Sequence, residues 1–229
     1  MKELDNFITQ TQKRDVSIII PLYGFWNDIK ENQLLAEHVF SITMQRVTSH
    51  AFNYSLVFVG DPKTIENKKG DKNCVANVLL GKSKGGNVTT IPVKRKATYP
   101  EHISAGIEFV MNETKSEFIV IFNPWVMLQY GAIDAVIDRA NRGDEARVVC
   151  GKDIRSLVSP EGFDEYKNLL LDEEWDITTD LICFPRFLFE VAPMDESYKT
   201  HKYFALDFAH NVKKGGFAAI NYPQAGIFP

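Results

Sequence analysis

The sequence predicts an α/β fold, doubly wound in style over its first half. Three apolar runs, at residues 16–20, 54–59 and 117–122, have the composition of strands covered on both faces. Apolar residues at helical spacing lie between and after them, so strands and helices alternate along the chain. With 229 residues and 45% hydrophobic content, the chain is long enough to bury one large core. It reads as a single domain over residues 1–229, with a surface excursion at 63–86.

Residues 16–20 are a β-branched run ended by Pro21. Asn27 and Asp28 offer caps for a helix in which Leu35, Val39 and Ile42 recur at spacings of four and three, up to about Thr48. The second apolar run stops at Gly60, Asp61 and Pro62, so the opening of the chain spells one β-α-β unit with a right-handed crossover. Residues 63–86 are rich in Lys, Asn and Gly and read as an excursion carrying a short helix. A strand at 88–93, a helix at 100–112 and the strand at 117–122 follow, the last ending at Asn123, Pro124 and Trp125. Next come an amphipathic helix at 130–141, a strand at 147–150, a loop region with Gly151, Pro160 and Gly162, and a charged stretch at 172–176. The closing elements are a strand at 178–184, a short helix from Arg186, a helix at 204–214 stopped by Gly215 and Gly216, and a strand at 217–222.

Composition removes several classes of function. A net charge of −4 gives no general attraction for a phosphate backbone, and no local basic stripe replaces it, so nucleic acid is not an expected partner. No apolar run reaches the roughly 18 to 20 residues of a membrane span, and the polar residues 1–14 lack the apolar stretch of a secretion signal. The expected location is the cytoplasm. Cys74, Cys150 and Cys183 are widely spaced and each adjoins apolar sequence, which fits buried free thiols and neither a disulfide framework nor a zinc site. His38, His102, His201 and His210 share no metal-ligand spacing and read as structural or surface residues.

In open α/β sheets, ligands collect beyond the carboxyl ends of the strands, which singles out residues 21–24, 60–62 and 123–125. No Gly-rich phosphate loop of the dinucleotide or Walker type follows the first strand. Tyr23, Phe25 and Trp26 supply either a base-stacking wall or a hydrophobic lid over the sheet end. Asp61 before Pro62 is either a ligand contact or the start of a turn. Lys94, Arg95 and Lys96 either neutralise a diphosphate or form a solvated charge run after an edge strand.

In this order the pieces resemble the family-2 glycosyltransferases, whose GT-A fold is a Rossmann-like three-layer sandwich with a mixed sheet. The resemblance runs over nearly the whole chain. Residues 16–24 are similar to the family's opening strand followed by Pro-x-Tyr-Asn, with Gly24 where Asn is usual. Residues 57–61 resemble the second strand with its two closing aspartates; Gly60 replaces the first, and Asp61 keeps the second, which contacts the nucleotide base in relatives. Residues 102–107 resemble the helix carrying Arg-Asn-x-Gly, with Gly106 kept and Ile103 and Ser104 in place of Arg-Asn. Residues 192–196 resemble Gly-Gly-Phe-Asp-Glu, and residues 204–217 resemble the helix that supplies the catalytic base.

The departures fall at the chemistry. The family's Asp-x-Asp, whose carboxylates anchor a divalent cation on the diphosphate, corresponds to Asn123, Pro124 and Trp125. Asn123 is a neutral ligand, Trp125 cannot coordinate, and no histidine stands near Phe228 and Pro229, where one often completes the metal shell. No cofactor is expected, and Mn²⁺ or Mg²⁺ held in the usual way is not favoured. For the base, alignment from Gly216 and Phe217 puts the expected Glu-Asp at Phe204 and Ala205, leaving Asp207 two residues later. Alignment on Lys213 makes Asp207 the base but requires a two-residue deletion. The other reading of Asp207 is an ordinary carboxylate near a helix start.

The resemblance therefore implies a glycosyltransferase that moves a sugar from a nucleotide-sugar to a glycan, lipid-linked or protein acceptor without the usual metal. Pro21, Tyr23, Asp61, Gly106, Asn123 and Trp125 would line the donor site, with Asp207 as general base. The alternative is a catalytically silent GT-A domain used for binding a nucleotide-sugar, a glycan or a protein.

Overall fold

A computed structural model of the chain describes residues 14–23, 52–62, 87–124, 126–142, 147–153, 180–195, 197 and 201–228. The strands are β1 (Arg14–Pro21), β2 (Phe52–Gly60), β3 (Asn87–Pro92), β4 (Phe118–Phe122), β5 (Met127–Leu128), β6 (Arg147–Asp153), β7 (Leu181–Pro185) and β8 (Ala218–Phe228). The helices are α1 (Tyr99–Glu113), α2 (Ala132–Asn141), α3 (Arg186–Val191) and α4 (His201–Lys214). The helix expected at 27–48, the excursion at 63–86 and the charged stretch at 172–176 lie outside the described residues, as do Phe25, Trp26, Cys74 and Trp125.

All eight strands join one mixed sheet in the order β3-β2-β1-β4-β7-β6-β8-β5. β1 runs parallel to β2 and β4, β2 parallel to β3, and β6 parallel to β8, whereas β7 is antiparallel to both β4 and β6. Six strands therefore point the same way, and β5 and β7 run against them. The carboxyl ends of β1, β2, β3, β4, β6 and β8 share one edge, where β7 begins.

The central strands are apolar at nearly every position because both faces are covered. On one face Val120, Val149, Cys183 and Ile220 lie with the α2 stripe of Ile133, Val136 and Ile137 in one buried cluster that extends to Val16, Ile18, Ile20, Leu56 and Phe58 of β1 and β2. On the other, Ile19, Val57, Ile119 and Phe184 pack against Ile103 and Ile107 of α1 and Phe204, Phe208 and Val212 of α4. Each such side chain contributes about 1.5–3 kcal/mol on burial, so the alternation along β1 fixes its register against both layers. Cys150 and Cys183 are buried free thiols on opposite faces of the sheet. Burial pushes the Cys183 thiol well above its ordinary pKa.

Thr98 starts α1 with a reciprocal capping box: its hydroxyl accepts from the Glu101 N–H, and its own N–H donates to the Glu101 carboxylate. Gly106 sits where α1 crosses the sheet. A Cβ there would come within 2.6 Å of Ile19 Cγ2 and 3.1 Å of Val59 Cγ2, so glycine is what allows the helix to approach. The last turn of α1 has no basic residue of its own. Arg186, the first residue of α3, caps it instead, donating to the carbonyls of Val110 (3.3 Å), Met111 and Thr114 (2.6 Å). At the end of α4, Gly216 takes a φ of 87° while Phe217 N–H reaches Val212 O at 3.1 Å and Gly216 N–H reaches Lys213 O at 2.9 Å. This is the Schellman geometry that the Gly215-Gly216 pair foretells.

Two strand ends and one added strand depart most from expectation. β6 continues through Gly151 to Asp153, where the sequence suggests a loop from Gly151. β8 runs on past Tyr222 to Phe228 and pairs with β5, a two-residue strand with no sequence signal of its own. The cause is non-local. The β6–β8 register shifts between Gly151 and Lys152, and a Cβ on Gly151 would lie 2.8 Å from the Ala225 carbonyl. Glycine here marks a bulged strand crossing and not a turn. No helix among the described residues is long and apolar enough to cross a membrane.

Candidate functional site

The shared carboxyl edge is built first by backbone. Leu22 N–H donates to Val59 O at 2.7 Å and Val93 N–H to Gly60 O at 2.9 Å, which holds the ends of β1, β2 and β3 level. Pro21 is buried and paired with Val59. Two residues on, Tyr23 emerges to 36% exposure, its ring edge-on to Tyr99 (centroids 6.0 Å apart) and to His102 (5.7 Å). Asp61 follows β2 directly and is only 3% exposed.

His102 completes this group. Its imidazole is fully buried, with Nδ1 2.8 Å from the Thr98 carbonyl. A carbonyl can only accept, so Nδ1 carries the proton, and in the neutral ring Nε2 keeps its lone pair. Burial pushes the pKa of His102 down, against upward pulls from the Thr98 carbonyl, Glu101 and Asp61. Glu101 itself is held below its ordinary range, first by the Thr98 N–H and then by the Thr98 hydroxyl.

The neighbouring part of the edge joins β4 to β7. Asn123 N–H donates to the Asp180 carbonyl at 2.8 Å, and Asn123 Nδ2 donates to Asp180 Oδ1 at 2.7 Å. The carboxylate cannot donate, which fixes the orientation of the amide. Asp180 went unread in the sequence because its partner is 57 residues away. Hard divalent ions favour several oxygen ligands, commonly including carboxylates, and this corner brings together one carboxylate and one neutral amide. Among the described residues, no three His, Cys, Asp or Glu side chains converge to hold a metal ion.

The remaining expected residues lie elsewhere. Gly106 is buried under α1 against Ile19 and Val59, in a packing position. Asp207 lies on the flank of α4, outside the buried stripe of Phe204, Ala205, Phe208, Ala209 and Val212. Its carboxylate accepts from Asn211 Nδ2, one turn on in the same helix, at 3.0 Å. No hydrogen bond or ion pair among the described residues joins it to Tyr23, Asp61 or Asn123. Lys94, Arg95 and Lys96 are exposed just past β3, in a turn closed by Ala97 N–H on Lys94 O at 2.8 Å. Asp195, in the segment that resembles Gly-Gly-Phe-Asp-Glu, is exposed and accepts from the Ser197 N–H at 2.8 Å.

A cleft of about 520 Å³ opens at the opposite edge, among Asp15, Asn53, Ser55, Thr89, Glu113 and Ser116. Much of its polar lining is already paired: Ser17 Oγ lies 3.1 Å from Ser55 Oγ and 2.7 Å from Ser116 Oγ, and Asn53 donates to Asp15 at 3.1 Å. Strand direction favours the carboxyl edge over this cleft as the ligand site.

The three-layer architecture is that of the GT-A-like glycosyltransferases. The chain is similar to a mannosyltransferase from Pyrobaculum calidifontis, solved in complex with GDP-Man and Mn²⁺, with a TM-score of 0.61 and 13% identity over 99% of this chain and 62% of that one. It is also similar to S. aureus TarS 1-349, with a TM-score of 0.56 and 10% identity over 93% of this chain and 59% of that one. Against another TarS structure the TM-score is 0.58 at 9% identity, over 93% of this chain and 36% of that one. The chain thus spans less than two thirds of each of these neighbours. No protein-family profile and no curated protein sequence matches it.

Proposed function

We propose that this chain is a glycosyltransferase of the family-2 type that binds a nucleotide-sugar at the carboxyl edge of its sheet and transfers the sugar to an acceptor hydroxyl. The observation that carries the reading is the group at the ends of β1 and β2: an exposed tyrosine ring beside a buried aspartate, in a GT-A-like fold. An aromatic face stacks on a base, and a carboxylate accepts from its N–H groups. The mannosyltransferase neighbour, with its bound GDP-Man, lends support by fold. Lys94, Arg95 and Lys96, just past β3, take the place of a divalent ion in offsetting the charge of the leaving diphosphate. Asp207 is the candidate base, with one of its oxygens already accepting from Asn211.

That no hydrogen bond or ion pair among the described residues joins Asp207 to Tyr23, Asp61 or Asn123 favours a second reading, a GT-A domain that binds a nucleotide-sugar, glycan or protein without turnover. Thermal unfolding against UDP, GDP and their sugar conjugates, with and without Mn²⁺, is the first test, because a ligand selective for the native state raises the midpoint. A shift indifferent to Mn²⁺ and absent in Asp61→Ala is expected. No shift with any nucleotide would remove the donor site, and a shift without sugar transfer to any acceptor would select the second reading.

A further inference from the structure

The cleft at the amino edge of the sheet has a chemistry that the proposed donor site does not use. Ser17 stands opposite Ser55, and Thr89 opposite Val57, so the pleat turns all three hydroxyls to the face that Ile19 and Val57 share with α1. The end of α1 brings Phe109 and Glu113 to the same space. Ser17 is wholly buried, and its hydroxyl links Ser55 at 3.1 Å to Ser116 at 2.7 Å. Ser55 and Ser116 both line the cleft, so a chain of three hydroxyls runs beneath it from one lining residue to the other.

With Ser17 donating to one neighbour and accepting from the other, the chain keeps one proton at one end and open lone pairs at the other, and its direction can reverse. Its natural partner is a group that both donates and accepts, as an alcohol does. The rest of the lining agrees. Asp15 and Glu113 are acceptors, and Tyr54 and Phe109 offer half-buried rings. Glu113 lies in the last turn of α1, where a negative charge gains nothing from the helix dipole. Among the described lining residues Lys115 is the one cation against two carboxylates, which disfavours phosphates and nucleotides. No three His, Cys, Asp or Glu side chains among the described residues converge on a metal ion. At about 520 Å³ the cleft falls within the roughly 300–1,000 Å³ of small-molecule sites.

We propose that this cleft binds a neutral saccharide, whose hydroxyls meet the serine chain, Thr89 and Glu113 and whose C–H face lies on Tyr54 or Phe109. It occupies the opposite end of the strands from the proposed donor site and does not depend on that reading. A free sugar and one unit of a glycan chain share this chemistry.

The test follows backbone amide NMR shifts of the isotope-labelled protein during titration with mannose, glucose and N-acetylglucosamine, and with short oligomers of each. Shifts are expected at residues 53–55, 88–89 and 113–116 and not at Tyr23 or Asp61. Response to the monosaccharides supports a free-sugar site, and response to the oligomers alone supports a glycan-chain site. Ser55→Ala should weaken binding about tenfold, the effect of one hydrogen bond. Should Ser55→Ala not fold, Glu113→Ala serves instead, since Glu113 is exposed at a helix end, and the same loss is expected. No shift with any saccharide, shifts confined to the carboxyl edge, or unchanged affinity in these variants would overturn the proposal. GDP is titrated in parallel. Shifts at Tyr23 and Asp61 alone leave the saccharide assignment standing, and GDP shifts in the cleft overturn it. A GDP titration that moves nothing counts against the donor site and leaves the saccharide result to decide this one.

Discussion

At the scale of single residues, the chain keeps titratable groups where burial sets their state. The pKa of His102 is pushed down by burial, so below its ordinary value of about 6.5 the unfolded chain binds more protons than the folded one. Stability should therefore fall as pH drops through that value, and stop falling once the folded imidazole is charged as well. Glu101, whose pKa is also lowered, adds a loss of stability only in the more acidic carboxylate range. Urea unfolding of the wild type should show a slope of stability against pH just below about 6.5, and His102→Asn should flatten it there whatever its absolute stability. An unchanged slope would place the titrating group elsewhere. None of this was legible in the sequence, where His102 is one histidine among several. The available signal was local, since a histidine four residues after a capping threonine has a carbonyl within reach. Its nearness to Asp61 and Tyr23 depends on β1 and β2 ending side by side.

At the scale of elements, legibility follows burial. β1, β2 and β4 were read from composition because strands covered on both faces are apolar throughout, and α4 showed its stop residues, Gly215 and Gly216. β5 and the second half of β8 escaped because their pairing partners are remote in sequence, and Gly151 was read as a loop for the same reason. The cap on α1 is equally remote. Arg186 reaches carbonyls more than seventy residues upstream, and hydrogen bonds from a charged donor contribute about 1.5–3 kcal/mol. Arg186→Met keeps much of the side-chain volume and removes the donors. It should cost about 2 kcal/mol, read as a lower urea midpoint with an unchanged slope.

At the scale of the whole molecule, the sheet separates two thiols that lie on adjacent strands. Cys150 and Cys183 face opposite layers, so no disulfide joins them while the sheet is intact. In a Cys74→Ser chain, a thiol reagent such as DTNB should label neither cysteine in the native protein and both after denaturation. The labelling rate then reports global opening of the sheet, because each thiol lies beneath a layer of helices. Rapid native labelling would show that one layer detaches on its own. The sequence anticipated that these thiols are free and buried. Their assignment to different faces required strand register.

β6 ends at Asp153 and β7 begins at Leu181, on neighbouring antiparallel strands at the edge proposed for the donor. These two strand ends are adjoining points of the scaffold, and a connection that starts and finishes at one place adds little closure cost as it lengthens. Variation placed there is therefore borne by two neighbouring strand ends and not by the core.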